Sequence, residues 1–159
     1  MFNSPEAALK FAFRVRGRSI ISSSSGVFVT KDQMRSTASD RITAWDYHAQ
    51  VGMIFSKIHR MPIDNQAWIY FTYGNSSEKL KMAALLTEVA ILDKSVKELV
   101  LTKNTIKIIL NSPTVRSAAR NALLTNYKAW KYKNIIFSSL NPLMLKTLNE
   151  ISEWLKIEK

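Results

Sequence analysis

Thr114, Arg116, Ser117, Arg120, Asn121 and Lys128 bring hydroxyl, guanidinium, amide and ammonium donors into one short segment. Groups of this kind recognise acceptors rather than make or break bonds. Arginine matches the paired acceptors of guanine, asparagine the edge of adenine, and serine or threonine either a base or a phosphate. On a 100° wheel begun near Pro113, Ser117, Arg120, Asn121 and Lys128 share one side, with Arg116 at its border. Val115, Ala118, Ala119, Ala122, Leu123, Asn126, Tyr127 and Trp130 take the other side, which is the expected core stripe. Its small alanines allow a neighbouring helix to come close. An ordinary solvated helix face has the same pattern, so the charge around the segment must discriminate.

That charge has one sign. No acidic residue lies between Glu98 and Glu150, whereas Lys103, Lys107, Arg116, Arg120, Lys128, Lys131, Lys133 and Lys146 all do. The whole chain carries 23 Lys plus Arg against 12 Asp plus Glu, a formal net charge of +11, and its pI is near 10.0. A basic, patterned tract is the footprint of a surface that lies on a polyanion. Nucleic acid is the first candidate, a soluble protein without a polyanion partner the second, and an anionic membrane surface the third.

Enzyme chemistry is poorly supplied. The absence of cysteine excludes disulfides, thiolate metal sites and a cysteine nucleophile, and fits a reducing cytoplasm. The two histidines, His48 and His59, lie about three turns apart on one expected helix and cannot share a metal. Asp46 and His48 do not face each other on a helix. There is no Gly-rich phosphate loop, paired-carboxylate signature or serine-triad context, and the SSSSG run at Ser22 to Gly26 reads as a loop. Asp40, Asp46 and Asp64 could still converge on magnesium after folding, but no motif announces it. The expectation is a non-enzyme without a cofactor or bound metal.

With 159 residues and 47% apolar content, the chain can build a core without staples. The N-terminus lacks the order of a secretory signal and no window approaches 18 uninterrupted apolar residues, which predicts a soluble, cytoplasmic protein with no membrane association. Ser4, Pro5 and Glu6 predict a helix start, running to about Arg16 and stopped by Gly17. Arg14, Arg16 and Arg18 make its end basic, suiting either the helix dipole or phosphate and polymerase contact. Ile20 to Ser39 reads as a flexible connection with a short strand or hairpin near Val27–Val29. It divides a basic N-terminal arm, 1–38, from a helical body, 39–159.

In that body Asp40 is expected to cap a long helix ended by Pro62, with Ile42, Trp45, His48 or Ala49, Gly52, Phe55 and Ile58 or His59 in period. Asp64 should cap a short helix closed at Gly74, and Asn75 with Glu78 forms a capping box for the next. Helices around Val96–Leu101 and Thr105–Leu110 follow. Ser112 as cap and Pro113 at the first position then predict one helix through TVRSAARNALLTNYKAWKYK. A last helix opens at Asn141–Pro142 and runs through Leu145, Leu148, Ile151, Trp154 and Leu155. The fold class is all-α, a multi-helix domain with a basic arm.

NTIKIILNSPTVRSAARNALL resembles the helix-turn-helix of sigma-factor region 4 and related regulators. The resemblance implies Thr105–Leu110 as supporting helix, Asn111 in the turn position usually held by glycine, and Thr114, Arg116, Ser117, Arg120 and Asn121 facing a major groove. The chain departs from that family by the bulky Ile108 where an alanine is usual, and by Ser112 two rather than three residues before Thr114. Upstream, AWIYFTYGNSSEKLKMAAL, with its Tyr73–Gly74, is similar to the aromatic segment before the helix-turn-helix of phage late-gene antitermination proteins of the Q type. There the DNA-binding helices follow more closely, whereas here 75–104 intervene. This likeness implies a protein that binds DNA near a late promoter and makes RNA polymerase ignore terminators.

The expectation is therefore a sequence-specific duplex-DNA-binding transcription regulator of phage antitermination type, acting in the cytoplasm of a bacterial host. The alternative is a small basic helical adaptor or inhibitor that binds protein or RNA without reading DNA sequence. Tyr127, Trp130 and Tyr132, interleaved with Lys128, Lys131 and Lys133, carry a further option, the stacking of single-stranded bases. Their period favours a place in the core.

Overall fold

The computed structural model describes residues 2–16 and 38–156, with side chains at 38–46 excepted. Gly17, Arg18, positions 20–37 of the expected connection and its strand lie outside the described residues, as do the side chains of Asp40 and Asp46, while Ala38 and Ser39 of that connection are helical. Everything described is helix, turn or irregular chain, so the class is all-α. The chain divides into two compact units, Met1–Met61 and Pro62–Glu158.

The first unit contains α1, Pro5–Arg16, and α2, Ala38–Arg60. Ser4 Oγ accepts the Ala7 N–H at 3.1 Å, so α1 has the expected cap with proline next to it. Its Ala8, Leu9, Ala12 and Phe13 are buried, and it packs on α2. Phe11 meets Tyr47 edge-on at 5.7 Å and Phe13 meets Phe55 at 5.0 Å. α2 corrects two expectations. It starts at Ala38, which puts Asp40 inside the helix rather than at its cap. Its buried stripe is Val51, Ile54 and the expected Ile58, while Ala49 and Gly52 are exposed. The register follows the larger β-branched side chains, which remove more apolar surface from water.

The second unit comprises α3 (Ile63–Tyr73), α4 (Ser76–Ala90), α5 (Lys94–Lys97), α6 (Lys103–Asn111), α7 (Val115–Ala122), α8 (Asn126–Ser139) and α9 (Asn141–Leu155). Pro62, not Asp64, is the N-cap of α3. Its carbonyl accepts the Gln66 N–H at 3.1 Å, and Asp64 sits in the first turn, where a carboxylate complements the helix dipole. The capping box at Asn75 is complete, with the Glu78 N–H donating to Asn75 Oδ1 at 2.9 Å and the Asn75 N–H to Glu78 Oε1 at 3.1 Å. Gly74 between α3 and α4 has ordinary extended backbone at φ −73. It is glycine because a Cβ there would overlap the Tyr70 carbonyl oxygen.

The core of this unit is built from Ala67, Ile69, Ala83, Leu86, Ala90, Val96, Ile106, Ile109, Ala118, Ala129, Ile136 and Ile151, each at most 1% exposed. α6 lies centrally and packs on α4, α7 and α8, while α9 packs on α3 and α8. Buried Thr87 and Thr147 donate to the carbonyls of Ala83 and Leu143 one turn back, both at 2.7 Å, and so need no partner elsewhere. The end helices depart from the expected signals in detail. α9 is preceded by Leu140 without a side-chain cap, so Asn141 is its first helical residue, and Leu145 is exposed.

Replacing Asn75 with alanine removes one member of the capping box, with an expected loss of about 1 kcal/mol in urea denaturation. Gly74→Ala should cost more than Asn75→Ala, because backbone must move to admit the methyl group.

Candidate nucleic-acid interface

The expected long helix from Pro113 starts two residues late, at Val115, and is broken once, at Leu123. Pro113 disfavours helical backbone in the residue before it, and Ser112 is accordingly extended at φ −80, ψ 124. α6 therefore ends at Asn111, which stays helical and takes no left-handed turn position. Ser112 caps the end of α6 rather than the start of α7, donating from Oγ to the Ile108 carbonyl at 2.7 Å. The cap of α7 is Thr114, whose Oγ1 accepts the Ser117 N–H at 3.1 Å. The displaced serine spacing noted in the sequence is explained, because threonine has taken over that work.

The break is at Leu123, which adopts the left-handed conformation at φ 56, ψ 40. The Leu124 N–H reaches the Ala119 carbonyl at 2.9 Å and the Leu123 N–H that of Arg120 at 3.4 Å, the paired bonds of a Schellman ending. Thr125 then caps α8 by accepting the Lys128 N–H at 3.3 Å. The chain turns so that α8 packs beside α7 instead of extending it.

The late start and the break redistribute the expected site residues. Arg116, Ser117, Arg120 and Asn121 lie on the side of α7 opposite buried Ala118 and Ala119, with Thr114 at its start. All are exposed except Ser117, which is half-buried. The Thr114 hydroxyl donates to Ser117 Oγ at 3.0 Å, so its proton is engaged locally. Lys128 is exposed, but on α8. The alanine part of the core stripe is correct, but its continuation is not. Leu123 is 92% exposed, Tyr127 69% and Trp130 53%, because they belong to the turn and to a differently directed helix. Sequence carried one unused signal for this: Thr125 three residues before Lys128 is a cap of the same type as Thr102 and Thr114.

The cations of the acid-free tract have separate uses. Lys103 pairs with Glu88 of α4 at 3.0 Å, exposed to water. Lys133 of α8 donates from Nζ to the Ser112 carbonyl at 3.0 Å and lies 5.7 Å from the Phe137 ring centre. It therefore fastens α8 to the α6–α7 turn. Partial burial pulls its ammonium below the usual value of 10.5. Arg116, Arg120, Lys128 and Lys131 are exposed, and among the described residues no carboxylate pairs with them. Arg116 and Arg120, with Ala119, Leu124, Thr125 and Asn126, line an open concavity of about 420 Å³ where α7 passes into α8.

The basic end of α1 is partly committed elsewhere. The Arg16 guanidinium lies 4.6 Å from the Phe13 ring centre and 5.4 Å from that of Phe55, a cation–π contact within the first unit. Arg14 is exposed, and Arg18 is outside the described residues. Among the described residues no three His, Asp or Glu side chains gather as a metal site. In the same residues no helix is long and apolar enough to cross a membrane. Comparison of the chain with protein-family models, with curated proteins and with solved structures finds no match.

Leu123→Gly should relieve the left-handed strain and raise stability by about 0.5–1 kcal/mol, a net of the strain removed and the entropy added to the unfolded chain. Lys133→Met should lower stability by about 1–2 kcal/mol at neutral pH, since the Ser112 carbonyl loses its partner. The pH response follows from the depressed ammonium. The folded form releases this proton at lower pH than the unfolded chain, so the burial penalty is full below the depressed value and fades as pH rises toward 10.5. Urea denaturation across alkaline pH should show that rise in the native protein relative to Lys133→Met.

Proposed function

We propose that this chain is a sequence-specific duplex-DNA-binding transcription regulator in which α6, the Ser112–Thr114 turn and α7 act as a helix-turn-helix. The observation that carries the reading is the outward face of α7, where Arg116, Ser117, Arg120 and Asn121 project together, unpaired with carboxylates, from a helix held by buried alanines. Arginine and asparagine on a rigid exposed helix are the side chains that discriminate guanine and adenine in the major groove. Lys128 on α8 and Arg14 on α1 serve phosphate in this reading, and positive charge steers the protein to DNA.

Within this class the reading extends to a phage antitermination factor that contacts RNA polymerase in a bacterial host. That extension rests on the likeness around Tyr73–Gly74 and on the helix-turn-helix likeness. No enzymatic step is assigned.

Selection from a random duplex pool at about 0.15 M salt tests the reading, because weak counterion-release binding is suppressed there. An enriched motif is expected. Arg116→Ala and Asn121→Ala should each weaken binding to that motif by about 1–3 kcal/mol while leaving non-specific binding nearly unchanged. Equal loss on every sequence, or no enrichment, overturns sequence reading. A transcription assay across a terminator then tests antitermination, with increased read-through expected.

A further inference from the structure

One face of α8 is left uncovered. Ala129 and Ile136 point into the core, and Tyr127, Trp130, Lys131, Asn134 and Phe137 recur at helical spacing on the other side. The Tyr127 and Trp130 ring centres are 6.3 Å apart with planes inclined by 31°. These rings are 69% and 53% exposed. Phe137, farther along, is anchored against Phe71 at 6.3 Å. Two large aromatics held side by side in water give up the burial that usually employs such residues.

Their surroundings identify what would cover them. Exposed Lys128 and Lys131 flank the pair on α8. Asn126, next to Tyr127, belongs to the concavity walled by Arg116 and Arg120. A second copy of the chain would set these lysines against their own kind in a molecule of net charge +11. A neutral apolar partner would leave the cations unused. An unpaired nucleic-acid strand answers both features, since each base offers a π-face to a ring and each phosphate a charge to a lysine or arginine.

We propose that Tyr127 and Trp130, with Lys128 and Lys131, form a stacking site for unpaired bases of single-stranded DNA. DNA is chosen because α7 beside it carries the base-edge donors, and in that choice alone the inference rests on the function proposed above. A protein with both surfaces holds duplex on α7 and an adjoining unpaired stretch on α8.

The test is fluorescence anisotropy of a labelled oligo-dT of about 15 nucleotides with the full chain at about 0.15 M salt. Tyr127→Ala and Trp130→Ala should each weaken binding about 5- to 100-fold, the loss of a stacked base. Trp130→Phe, which keeps a ring, should retain most of the affinity. Duplex binding by all three should be unchanged. Oligo-dT binding that is insensitive to both alanine variants, binding to oligo-U alone, or equal losses on duplex and single strand would each overturn the site. A blank duplex selection beside ring-dependent oligo-dT binding supports this site while removing sequence reading. An enriched duplex motif without oligo-dT binding does the reverse.

Discussion

The left-handed turn at Leu123 is the constraint on which the organisation of the second unit depends. A non-glycine residue in that conformation costs about 1–2 kcal/mol, and Leu123 recovers none of it by burial, being 92% exposed. The return is geometric. A Schellman ending closes α7 after eight residues, Thr125 starts α8, and the two helices pack side by side. Without the turn, the donor face of α7 and the aromatic face of α8 would belong to one continuous rod.

An eight-residue helix has no stability of its own in water, so α7 must be held from outside. Three devices do so. Thr114 caps its start, buried Ala118 and Ala119 seat it against its neighbours, and Lys133 reaches from α8 to the carbonyl of Ser112 in the preceding turn. Each of these uses the inner side or the ends of the helix. The outer side is thereby free of structural duties, and Arg116, Arg120 and Asn121 can meet a ligand without weakening the fold. Cations of the same tract that do have structural duties, Lys103 and Lys133, are the ones with protein partners.

Much of the helical plan was legible in the residues. Ser4 with Pro5, and Asn75 with Glu78, cap as their chemistry directs, because a cap is a local bond between groups three residues apart. The expected caps at Asp40, Asp64 and Ser112 were displaced. Asp40 lies inside α2, and the caps expected at Asp64 and Ser112 are taken by residues two positions away, Pro62 and Thr114. Ser112 and Pro113 show how close the competition is, since the same proline that signals a helix start also ends the helix before it. In α2, Val51 and Ile54 are buried in place of Ala49 and Gly52, while Ile58 is buried as its period predicts.

By itself, the sequence determined the all-α class, the acid-free basic tract and the donor set of Arg116, Ser117, Arg120 and Asn121 on one face, because these follow from composition and from a period of 3.6 residues. Only the tertiary structure decided where that helix stops, and hence that Lys128 leaves the face and that Tyr127 and Trp130 are surface rather than core. A leucine carries no local signal for left-handed backbone. The turn goes together with the packing of α7 and α8 on each other and on α6, contacts between separate helices that no wheel drawn through one segment contains.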